Sequence, residues 1–435
     1  MGVTIRPFKA LRPSSEFAAA VAALPYDVMN TEEARQMAAG NPHSFLHVDK
    51  AEIDLPPDTD LYSPSVYAKA KENLQAFITE GVLIQDAQPN LYIYQLSANG
   101  CTQTGLAACV SVEEYEKGLI KRHELTRNNK EQDRIEHMLA CEAHTGPIFM
   151  AYRSQVATNE LMEKWANTHK PVYDFTAEDN VKHSLWVIDD KSVQEDLIKA
   201  FGQVPCLYIA DGHHRNAAAA KVAQMYNENG AKNTEAKDIE ADFYLAVIFP
   251  HDALNIMDYN RVVTDLNGLN AEGFLKALED KGFCKLEKSS SPLTPSKKQE
   301  FCVYLEKQWY RFVMPEKTSN TNESLNESSA GDLSNLSESL IQSLDVAVLQ
   351  DKILAPVLAI QDPKTDKRID FVGGVRGLEE LERRVDSGEM AVAFAMYPTS
   401  MEELMAVADA NQIMPPKSTW FEPKLRSGLL IHKFC

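Results

Sequence analysis

Residues 211 to 215, Asp-Gly-His-His-Arg, place an acid, a flexible turn residue, two imidazoles and a guanidinium side by side. The preceding segment, CLYIA at 206–210, is apolar and has the length of a buried strand. The following segment, HRNAAAAKVAQMYNEN, contains four consecutive alanines, which favour a helix. These patterns predict a strand-to-helix turn at which free backbone N–H groups and the positive end of the helix dipole bind an anion.

Each residue of this turn has a chemical use. Gly212 allows another group to approach the backbone closely. Arg215 offers a planar fork that suits phosphate or carboxylate. His213 and His214 can donate hydrogen bonds or transfer protons. Asp211 can hold a divalent metal ion or accept a proton, although an Asp at this position can also simply cap the helix.

A second polar stretch, IKRHELTRNNKEQDR at 120–134, contains several side chains that can bind or react: His123, Glu124, Thr126, Arg127, Lys130 and Arg134. It does not have the H-E-x-x-H spacing of a zinc protease. If a helix begins near Glu124, Lys130 and Arg134 share one face at i, i+4. A solvated charged helix is the simpler interpretation of such a pattern.

Two further segments are polar and rich in turn signals. Asp27 follows Pro25 and Tyr26, where it could bind an amino group or a metal ion, or only stabilise a turn. The segment MPPKSTWFEPKLRSG near the C-terminus supplies phosphate-type donors and further cations, and we expect it to form a loop that completes a site. These residues are Lys417, Ser418, Thr419, Lys424 and Arg426. His137, Cys141 and His144 have the spacing of metal ligands on a helix, but also that of a packed face.

The composition limits the class of protein. The chain has 435 residues, 44% of them hydrophobic and 25% charged, as in ordinary globular proteins. A net charge of −19 argues against broad binding of nucleic acid or anionic membranes. There is no apolar run of transmembrane length and no secretory signal pattern. Seven cysteines without a C-x-x-C pair fit reduced thiols. We therefore predict a cytoplasmic protein and leave a homo-oligomer open as an alternative.

Predicted helices and predicted strands alternate along the chain, and these elements must position the residues described above. Residues 63–81 predict a helix, with Ser63 as cap, Pro64 in the first turn and Gly81 at the end. Ser400 and Glu403 predict a capping box. Strands are predicted at 91–96, 206–210 and 243–249, in a hairpin around Lys307, and at APVLAIQ (355–361) and IDFVGGV (369–375). The mixture predicts an α/β or mixed α+β fold.

A compositional boundary lies between residues 317 and 340. This segment is rich in Ser, Asn and Glu and lacks aromatic residues, so we interpret it as a flexible insertion. It separates a main part, residues 1–316, which contains the DGHHR site, from a C-terminal part, residues 341–435. We expect the two parts to share one core, because the strands predicted after 341 need partners.

Several segments together resemble a conserved family known as a domain of unknown function. They are IRPFKALRP (5–13), PYDV (25–28), NPHSFLHV (41–48), KRHELT (121–126), ADGHHR (210–215) and MPPKSTWFEPKLRSGL (414–429). At a strand-to-helix junction, ADGHHR is also similar to the phosphate-binding signature of the ParB/sulfiredoxin-like superfamily. That superfamily includes partition proteins, sulfiredoxins and archaeal free-serine kinases. The resemblance implies a ParB/sulfiredoxin-like core within a larger mixed-sheet protein.

This resemblance implies a kinase that transfers phosphate from ATP or ADP to a small hydroxyl metabolite, with free L-serine as the specific candidate and Mg²⁺ as cofactor. The implied catalytic residues are Glu124, Asp211 and His213, with Glu124 as the first choice of base and Asp211 as the second, and Asp211 also as metal ligand. The implied phosphate-binding residues are Gly212, His213, His214, Arg215, Lys417, Ser418 and Thr419. The implied substrate-binding residues are Asp27, His123, Thr126, Lys130 and Arg134.

Two other functions use the same residues. A nucleotide-binding regulatory switch of the ParB type would bind without turnover, although the chain shows no helix-turn-helix. A metal-dependent phosphohydrolase or nuclease would release phosphate without an acceptor. Sulfiredoxin chemistry is not expected, because the DGHHR segment contains no cysteine.

Overall fold

A computed structural model describes residues 2–228, 239–315 and 339–434. The chain forms two compact units, Met1–Leu254 with Pro423–Cys435, and Asn255–Glu422. The first unit therefore receives the last segment of the chain, and the second unit is inserted before it. The predicted division at 316 and 340 stays a prediction, because most of the predicted insertion 317–340 lies outside the described residues.

The described strands of the chain are short to medium in length. In chain order they are β1 (Ile5–Arg6), β2 (Ala10–Pro13), β3 (Leu83–Gln85), β4 (Leu91–Ala98), β5 (Cys101–Ser111), β6 (Ile120–Lys121), β7 (Ala143–His144), β8 (Ile148–Tyr152), β9 (Tyr173–Thr176), β10 (Lys182–Ile188), β11 (Leu207–Asp211), β12 (Phe243–Pro250), β13 (Asn255–Met257), β14 (Tyr259–Val263), β15 (Cys284–Ser289), β16 (Glu300–Leu305), β17 (Gln308–Val313), β18 (Ile369–Gly373), β19 (Val392–Met396), β20 (Trp420–Glu422) and β21 (Ile431–Lys433).

The α-helices lie between these strands. Those with described bounds are α1 (Ala18–Val21), α2 (Thr31–Ala38), α3 (Leu46–Asp49), α4 (Pro64–Thr79), α5 (Val112–Glu116), α6 (Asn128–Cys141), α7 (Val156–Thr168), α8 (Lys191–Phe201), α9 (His213–Glu228), α10 (Ala271–Asp280), α11 (Asp345–Leu349), α12 (Gly377–Asp386) and α13 (Met401–Asp409). Short 3₁₀ turns cover Ala51–Asp54, Glu240–Asp242, His251–Ala253 and Gly374–Arg376, and a π-helical turn covers Gln350–Leu354.

The first unit is built on a mixed sheet with the strand order β6-β11-β8-β12-β5-β4-β10-β9, to which β1 is added beside β5. Strand β11 pairs antiparallel with β8 and parallel with β6, so it lies close to one edge of the sheet. Helix α9 packs against the neighbouring helix α6. Its alanines Ala218 and Ala219 are buried, and such small side chains allow close packing.

A smaller sheet, with the order β3-β2-β21-β7, carries the C-terminal strand into the first unit. It covers a second apolar core that contains Leu11, Phe45, Leu74, Phe77 and Ile431. Strand β21 pairs with β2 on one side and β7 on the other, and both ladders are antiparallel. The segment before β21, which includes Lys424 and Arg426, is thereby fixed to the first unit.

The second unit has an antiparallel sheet with the order β15-β17-β16-β19-β14-β18. Leu381 of α12 and Trp309 of β17 are fully buried in its core. The Trp309 indole N–H donates a hydrogen bond to Glu382 Oε1 at 2.7 Å, which satisfies the one polar atom of this buried ring. Strands β13 and β20 form a separate two-stranded ladder.

The mixed α/β fold class is confirmed by these elements. The predicted helix at 63–81 is α4, and the predicted capping box forms, with Ser400 accepting the Glu403 N–H at 3.1 Å. The strand predicted at 355–361 is wrong, because this apolar stretch follows α11 as turns. Among the described residues, no helix is long and apolar enough to cross a membrane.

Candidate functional site

The turn between β11 and α9 lies where the local pattern places it. Asp211 ends the strand, and the helix begins at His213. Gly212 between them has a φ of +94°, a conformation that glycine adopts without strain. A Cβ atom at this position would meet the guanidinium of Arg215 at 3.3 Å. Glycine therefore permits both the turn and the position of Arg215 over it.

Asp211 is held by two donors. Its Oδ1 accepts the Gly212 N–H at 2.8 Å, and its Oδ2 accepts Lys424 Nζ at 2.8 Å. Burial by itself would raise the pKa of this carboxyl, but the positive charges of Lys424 and Arg215 hold it well below its usual value. Asp211 is therefore a permanent carboxylate, which makes it a good partner for cations and a weak proton acceptor.

His213 lies between a second histidine and an exposed acid. Its ring meets that of His123 edge to face, with centroids 4.5 Å apart. Its Nδ1 is 3.9 Å from Oε2 of Glu124, whose side chain is 44% exposed. Burial lowers the pKa of His123 to about 4, and burial with the neighbouring His123 lowers that of His213 well below its usual value. Both imidazoles are neutral at pH 7, beside a carboxylate that solvent and substrates can reach.

His214 lies near three other charged residues of the predicted site, Asp27, Arg127 and Lys130. Burial lowers the pKa of its imidazole, the carboxylate of Asp27 opposes that shift, and the cations Arg127 and Lys130 reinforce it. These electrostatic contacts place Asp27 and Lys130 in the same part of the first unit as the DGHHR turn. The turn thus has an acid and a base among its neighbours, which is the arrangement that can hold a zwitterion.

A small cavity of about 10 Å³ lies beside Arg215 and is lined also by Tyr26, Asp49 and Arg134. Arg215 Nη1 donates to the Pro147 carbonyl at 2.6 Å. The Arg134 guanidinium lies 3.9 Å from the centre of the Tyr26 ring. Its Nε and Nη2 donate to the neighbouring Asp133 carboxylate. The cavity is about the size of one water molecule, and the predicted role of Arg134 in substrate binding stays a prediction.

Several buried polar atoms around the turn have no hydrogen-bond partner among the described residues. They are Tyr26 Oη, His213 Nε2, His214 Nδ1, Arg215 Nε, and both amide atoms of Asn216. Burying such an atom without a partner costs about 1–3 kcal/mol, so an unpaired group needs a water or ligand to explain it. Asn216 was not predicted, and its only sequence signal is its position in the first turn of the helix.

The C-terminal segment is fixed by a buried polar network that the sequence did not predict. Arg426 Nε donates to His183 Nε2 at 3.2 Å, and its Nη2 binds Asp179. The other ring nitrogen of His183 lies 2.9 Å from Tyr94 Oη, which also accepts the Arg426 N–H. This network holds the chain two residues from Lys424, which reaches Asp211. His183 and Tyr94 lie on strands without any motif.

The remaining predicted site residues make other contacts. Thr126 Oγ1 donates to Glu131 Oε2 at 2.8 Å. The helix considered for this stretch is α6, which begins at Asn128 and not near Glu124, and it carries Lys130 and Arg134. His123 and Glu124 precede it in irregular structure and contact His213. Lys417, Ser418 and Thr419 belong to the second unit, where Ser418 Oγ donates to the Pro415 carbonyl at 2.7 Å.

Of the possible metal ligands, His137 and Cys141 lie together, with Cys141 Sγ 3.9 Å from His137 Nε2, whereas His144 has a different partner. His137 Nε2 bonds to the Val48 carbonyl at 3.0 Å, whereas His144 Nδ1 lies 3.2 Å from His432 Nδ1. Within the described residues, no group of three His, Cys, Asp or Glu side chains is arranged to hold a metal ion. The packed-face interpretation of this spacing is therefore the better one.

Comparison with protein-family models identifies the chain. A model described as Protein of unknown function (DUF1015) matches residues 5–347. The chain belongs to this family. The resemblance to a conserved family of unknown function is thereby confirmed, whereas kinship with the ParB/sulfiredoxin-like superfamily stays a prediction. No curated protein matches the chain.

Solved structures show more distant similarity. A conserved hypothetical protein from Pyrococcus furiosus has 14% identity and a TM-score of 0.32, covering 75% of this chain and 95% of that one. A free serine kinase in complex with AMP has 14% identity and a TM-score of 0.32, covering 74% and 92%. SbnI with a C-terminal truncation, from Staphylococcus aureus, has 12% identity and a TM-score of 0.35, covering 75% and 87%. Similarity at this level does not assign an activity to the chain.

Proposed function

We propose that the protein is a nucleotide-dependent phosphotransferase that phosphorylates a small hydroxyl metabolite, with L-serine as the specific candidate. The observation that carries this proposal is the set of donors at the start of α9. Buried Arg215 Nε and His213 Nε2 have no partner among the described residues, and Lys424 lies beside them on Asp211. Donors of this kind at a helix N-terminus suit the phosphates of a nucleotide.

The charge distribution supports the same role. Phosphoryl transfer depends mainly on positioning and on neutralising the charge of the phosphate oxygens. Arg215 and Lys424 bring two cations to this turn in a chain whose net charge is −19. Asp211 orients Lys424 through the 2.8 Å ion pair and thus fixes where that charge is presented. The proposed roles are therefore phosphate binding for Arg215 and Lys424, and positioning for Asp211.

Glu124 is the proposed general base. The acceptor hydroxyl oxygen forms a bond to the terminal phosphorus of ATP or ADP as the bond from that phosphorus to the bridging oxygen breaks. The shortened nucleotide leaves with the electron pair, and the hydroxyl proton passes to the Glu124 carboxylate. Glu124 suits this step better than Asp211, because its side chain is 44% exposed and Asp211 is held ionised by Lys424.

The turn offers Mg²⁺ one carboxylate ligand, that of Asp211. Mg²⁺ usually keeps several waters and binds through one or two carboxylates plus substrate phosphates. Asp211 is such a carboxylate, and two lone-pair positions remain after its bonds to Gly212 and Lys424. When bound there, Mg²⁺ would neutralise charge on the nucleotide phosphates. The absence of a three-residue ligand cluster among the described residues agrees with a metal held mainly by phosphate.

The surroundings of His214 support an amino-acid acceptor. Asp27 can receive an ammonium group, and Lys130 or Arg127 can receive a carboxylate. A small molecule that carries both groups and a hydroxyl would therefore be oriented by its two ends. Serine has these three groups and little else, so it is the simplest acceptor of this kind.

The test is phosphorus NMR of the full-length protein with Mg²⁺ and either ATP or ADP, with and without L-serine. We expect a new phosphomonoester signal that requires serine. Glu124→Gln should lower turnover about 10²- to 10⁴-fold, the usual range for loss of a general base. The matched control is Glu136→Gln, on the exposed face of α6.

Each other outcome would indicate a different function. Inorganic phosphate released without an acceptor would indicate a phosphohydrolase, and nucleotide binding without turnover would indicate a switch. Lys424→Ala should weaken nucleotide binding about tenfold or more, as expected for loss of a charged phosphate contact worth at least 1.4 kcal/mol. Its control is Lys182→Ala, which removes a comparable ion pair with Asp174 at the surface. Equal effects of both lysine variants would overturn the proposal.

A further inference from the structure

Arg261 is a buried cation in the centre of the second unit's sheet. It lies on β14, between β18 and β19, and is 3% exposed. Among the described residues, no carboxylate lies within ion-pair distance of its guanidinium. Arginine is almost never this deeply buried without an acidic partner, since removing the charge from water costs several kcal/mol. The site therefore lacks the negative charge that would normally accompany such a residue.

The contacts of Arg261 supply dipoles but no charge. Its Nη1 donates to the Tyr259 carbonyl, and its Nη2 donates to the Lys417 carbonyl at 2.9 Å. The guanidinium also lies 5.5 Å from the centre of the Phe371 ring. Burial lowers its pKa to about 10, and Tyr259 only partly opposes this. Two of its five N–H groups are occupied, so three remain available for an oxyanion.

A second cation lies on the same segment of chain that Arg261 holds. Lys417 has a left-handed backbone, with a φ of +57°, and its Nζ lies 5.5 Å from the centre of the Tyr259 ring. It likewise has no carboxylate within ion-pair distance among the described residues. Lys417 is exposed, and both cations contact Tyr259, the ammonium over the ring and the Arg261 guanidinium at the backbone carbonyl.

The acid nearest to Arg261 in the sequence, Asp258, is already hydrogen-bonded. Asp258 Oδ2 accepts Asn260 Nδ2 at 2.5 Å, and the side-chain Oδ1 of Asn260 accepts the Met396 N–H at 2.9 Å. Burial raises the pKa of Asp258, and the hydrogen bond from Asn260 partly opposes this shift. This network uses Asp258 to fix Asn260 between β14 and β19, and Asp258 makes no ion pair with Arg261.

The segment that carries Lys417 is rigidly held. Thr399 Oγ1 donates to the Ser418 carbonyl at 2.9 Å, and Ser418 Oγ donates to the Pro415 carbonyl at 2.7 Å. Together with the bond from Arg261, these contacts fix three backbone carbonyls, those of Pro415, Lys417 and Ser418. A cation on such a segment is pre-organised, so binding an anion would cost little ordering.

We infer that the second unit holds a binding site for a small phosphoryl-bearing anion, with Arg261 and Lys417 as its two cations. A phosphoryl group, as a dianion with three oxygens, matches one planar fork and one ammonium better than a single carboxylate does. This inference concerns residues of the second unit alone. It stands whether or not the first unit transfers phosphate.

The test is calorimetric titration of the full-length protein with inorganic phosphate, in a Lys424→Ala background that weakens the proposed nucleotide site. We expect saturable binding and a rise in melting temperature with phosphate, because a ligand that binds only the folded state stabilises it. Arg261→Gln should weaken binding at least tenfold, and Lys417→Ala several-fold. Acetate at the same ionic strength should bind much more weakly.

The controls are two exposed cations of the same unit, Arg376→Gln and Lys352→Ala, which should leave binding unchanged. If the glutamine variant does not fold, Arg261→Lys is titrated in its place, because lysine keeps the charge but lacks the planar fork. The inference is wrong if phosphate binding is unchanged in the Arg261 and Lys417 variants. It is also wrong if the controls weaken binding equally, which would indicate an adventitious ion only. Neither result would bear on serine phosphorylation, which is measured separately.

Discussion

Two buried arginines, Arg426 in the first unit and Arg261 in the second, have opposite surroundings. Arg426 is 4% exposed and binds the Asp179 carboxylate, the neutral ring of His183 and, through its backbone N–H, Tyr94. Arg261 is 3% exposed, and its hydrogen-bond partners among the described residues are two backbone carbonyls. Their depth is the same, so the difference between them is whether the charge is compensated within the protein.

This difference separates structural from binding networks. Where every buried polar atom has a partner, removing one member leaves others unpaired, and the network acts as an internal brace. Where a buried charge or donor has no such partner, the missing interaction can come from a ligand or water. The turn at Asp211–Arg215 resembles Arg261 in this respect, since Arg215 Nε and His213 Nε2 lack partners among the described residues.

The largest effect is expected for Arg426→Met. This change leaves His183 Nε2, a buried acceptor, without its partner inside the protein, so the free energy of unfolding should fall by about 1–3 kcal/mol, the usual cost of an unpaired buried polar group. The half-exposed Asp179 side chain, 42% accessible, adds little to this cost. Urea unfolding measures the change, with Arg376→Met as the exposed control. A loss below about 1 kcal/mol, the range of surface changes, would mean that the network is not a brace.

A smaller effect is expected from acid. Burial and Arg426 lower the pKa of His183 to about 3, with Asp179 partly opposing. The folded state therefore binds fewer protons than the unfolded state, whose histidine titrates near 6.5. This contribution to stability is fully present above pH 6.5 and is lost as the pH falls toward 3.

His183→Gln tests this pH dependence. The glutamine oxygen can accept the Nε–H of Arg426, and its amide nitrogen can donate to Tyr94 Oη. Unlike histidine, glutamine has no group that takes up a proton in this pH range. Melting temperatures measured between pH 7 and pH 4 should therefore fall less steeply for the variant than for the wild type. Identical slopes would show that protonation of His183 is not linked to folding, and the description of a neutral histidine in a closed network would fail.

The smallest effect is expected for Arg261→Met without phosphate. Methionine fills similar space and removes an uncompensated buried cation, although it leaves two carbonyls without a donor. These effects oppose each other, so the free energy of unfolding should change by about 1 kcal/mol or less in either direction. Urea unfolding in phosphate-free buffer measures it. If the free energy of unfolding fell as much as in Arg426→Met, Arg261 would be a structural brace. The contrast between the two arginines would then not hold.

Local features of the molecule were predictable from sequence. The Ser400 capping box, the Pro64 helix start and the β11-Gly212-α9 turn depend on residues within a few positions of each other. One prediction failed where tertiary packing decided the backbone, because the apolar stretch at 355–361 forms turns and not a strand. The sequence also did not locate the start of α6, which lies at Asn128.

The sequence by itself determined which residue types stand at the strand-to-helix turn and in the C-terminal segment, because propensity, glycine conformation and capping act over short distances along the chain. Only the tertiary structure decided that Lys424 binds Asp211, 213 residues away, and that His183 and Tyr94 hold Arg426. It also decided that Arg261 is buried and has no carboxylate at ion-pair distance in the described part of the chain, because burial and ion pairing depend on strands that are distant in sequence. Such contacts have no periodic pattern along the chain, so they become visible only when the sheets have formed.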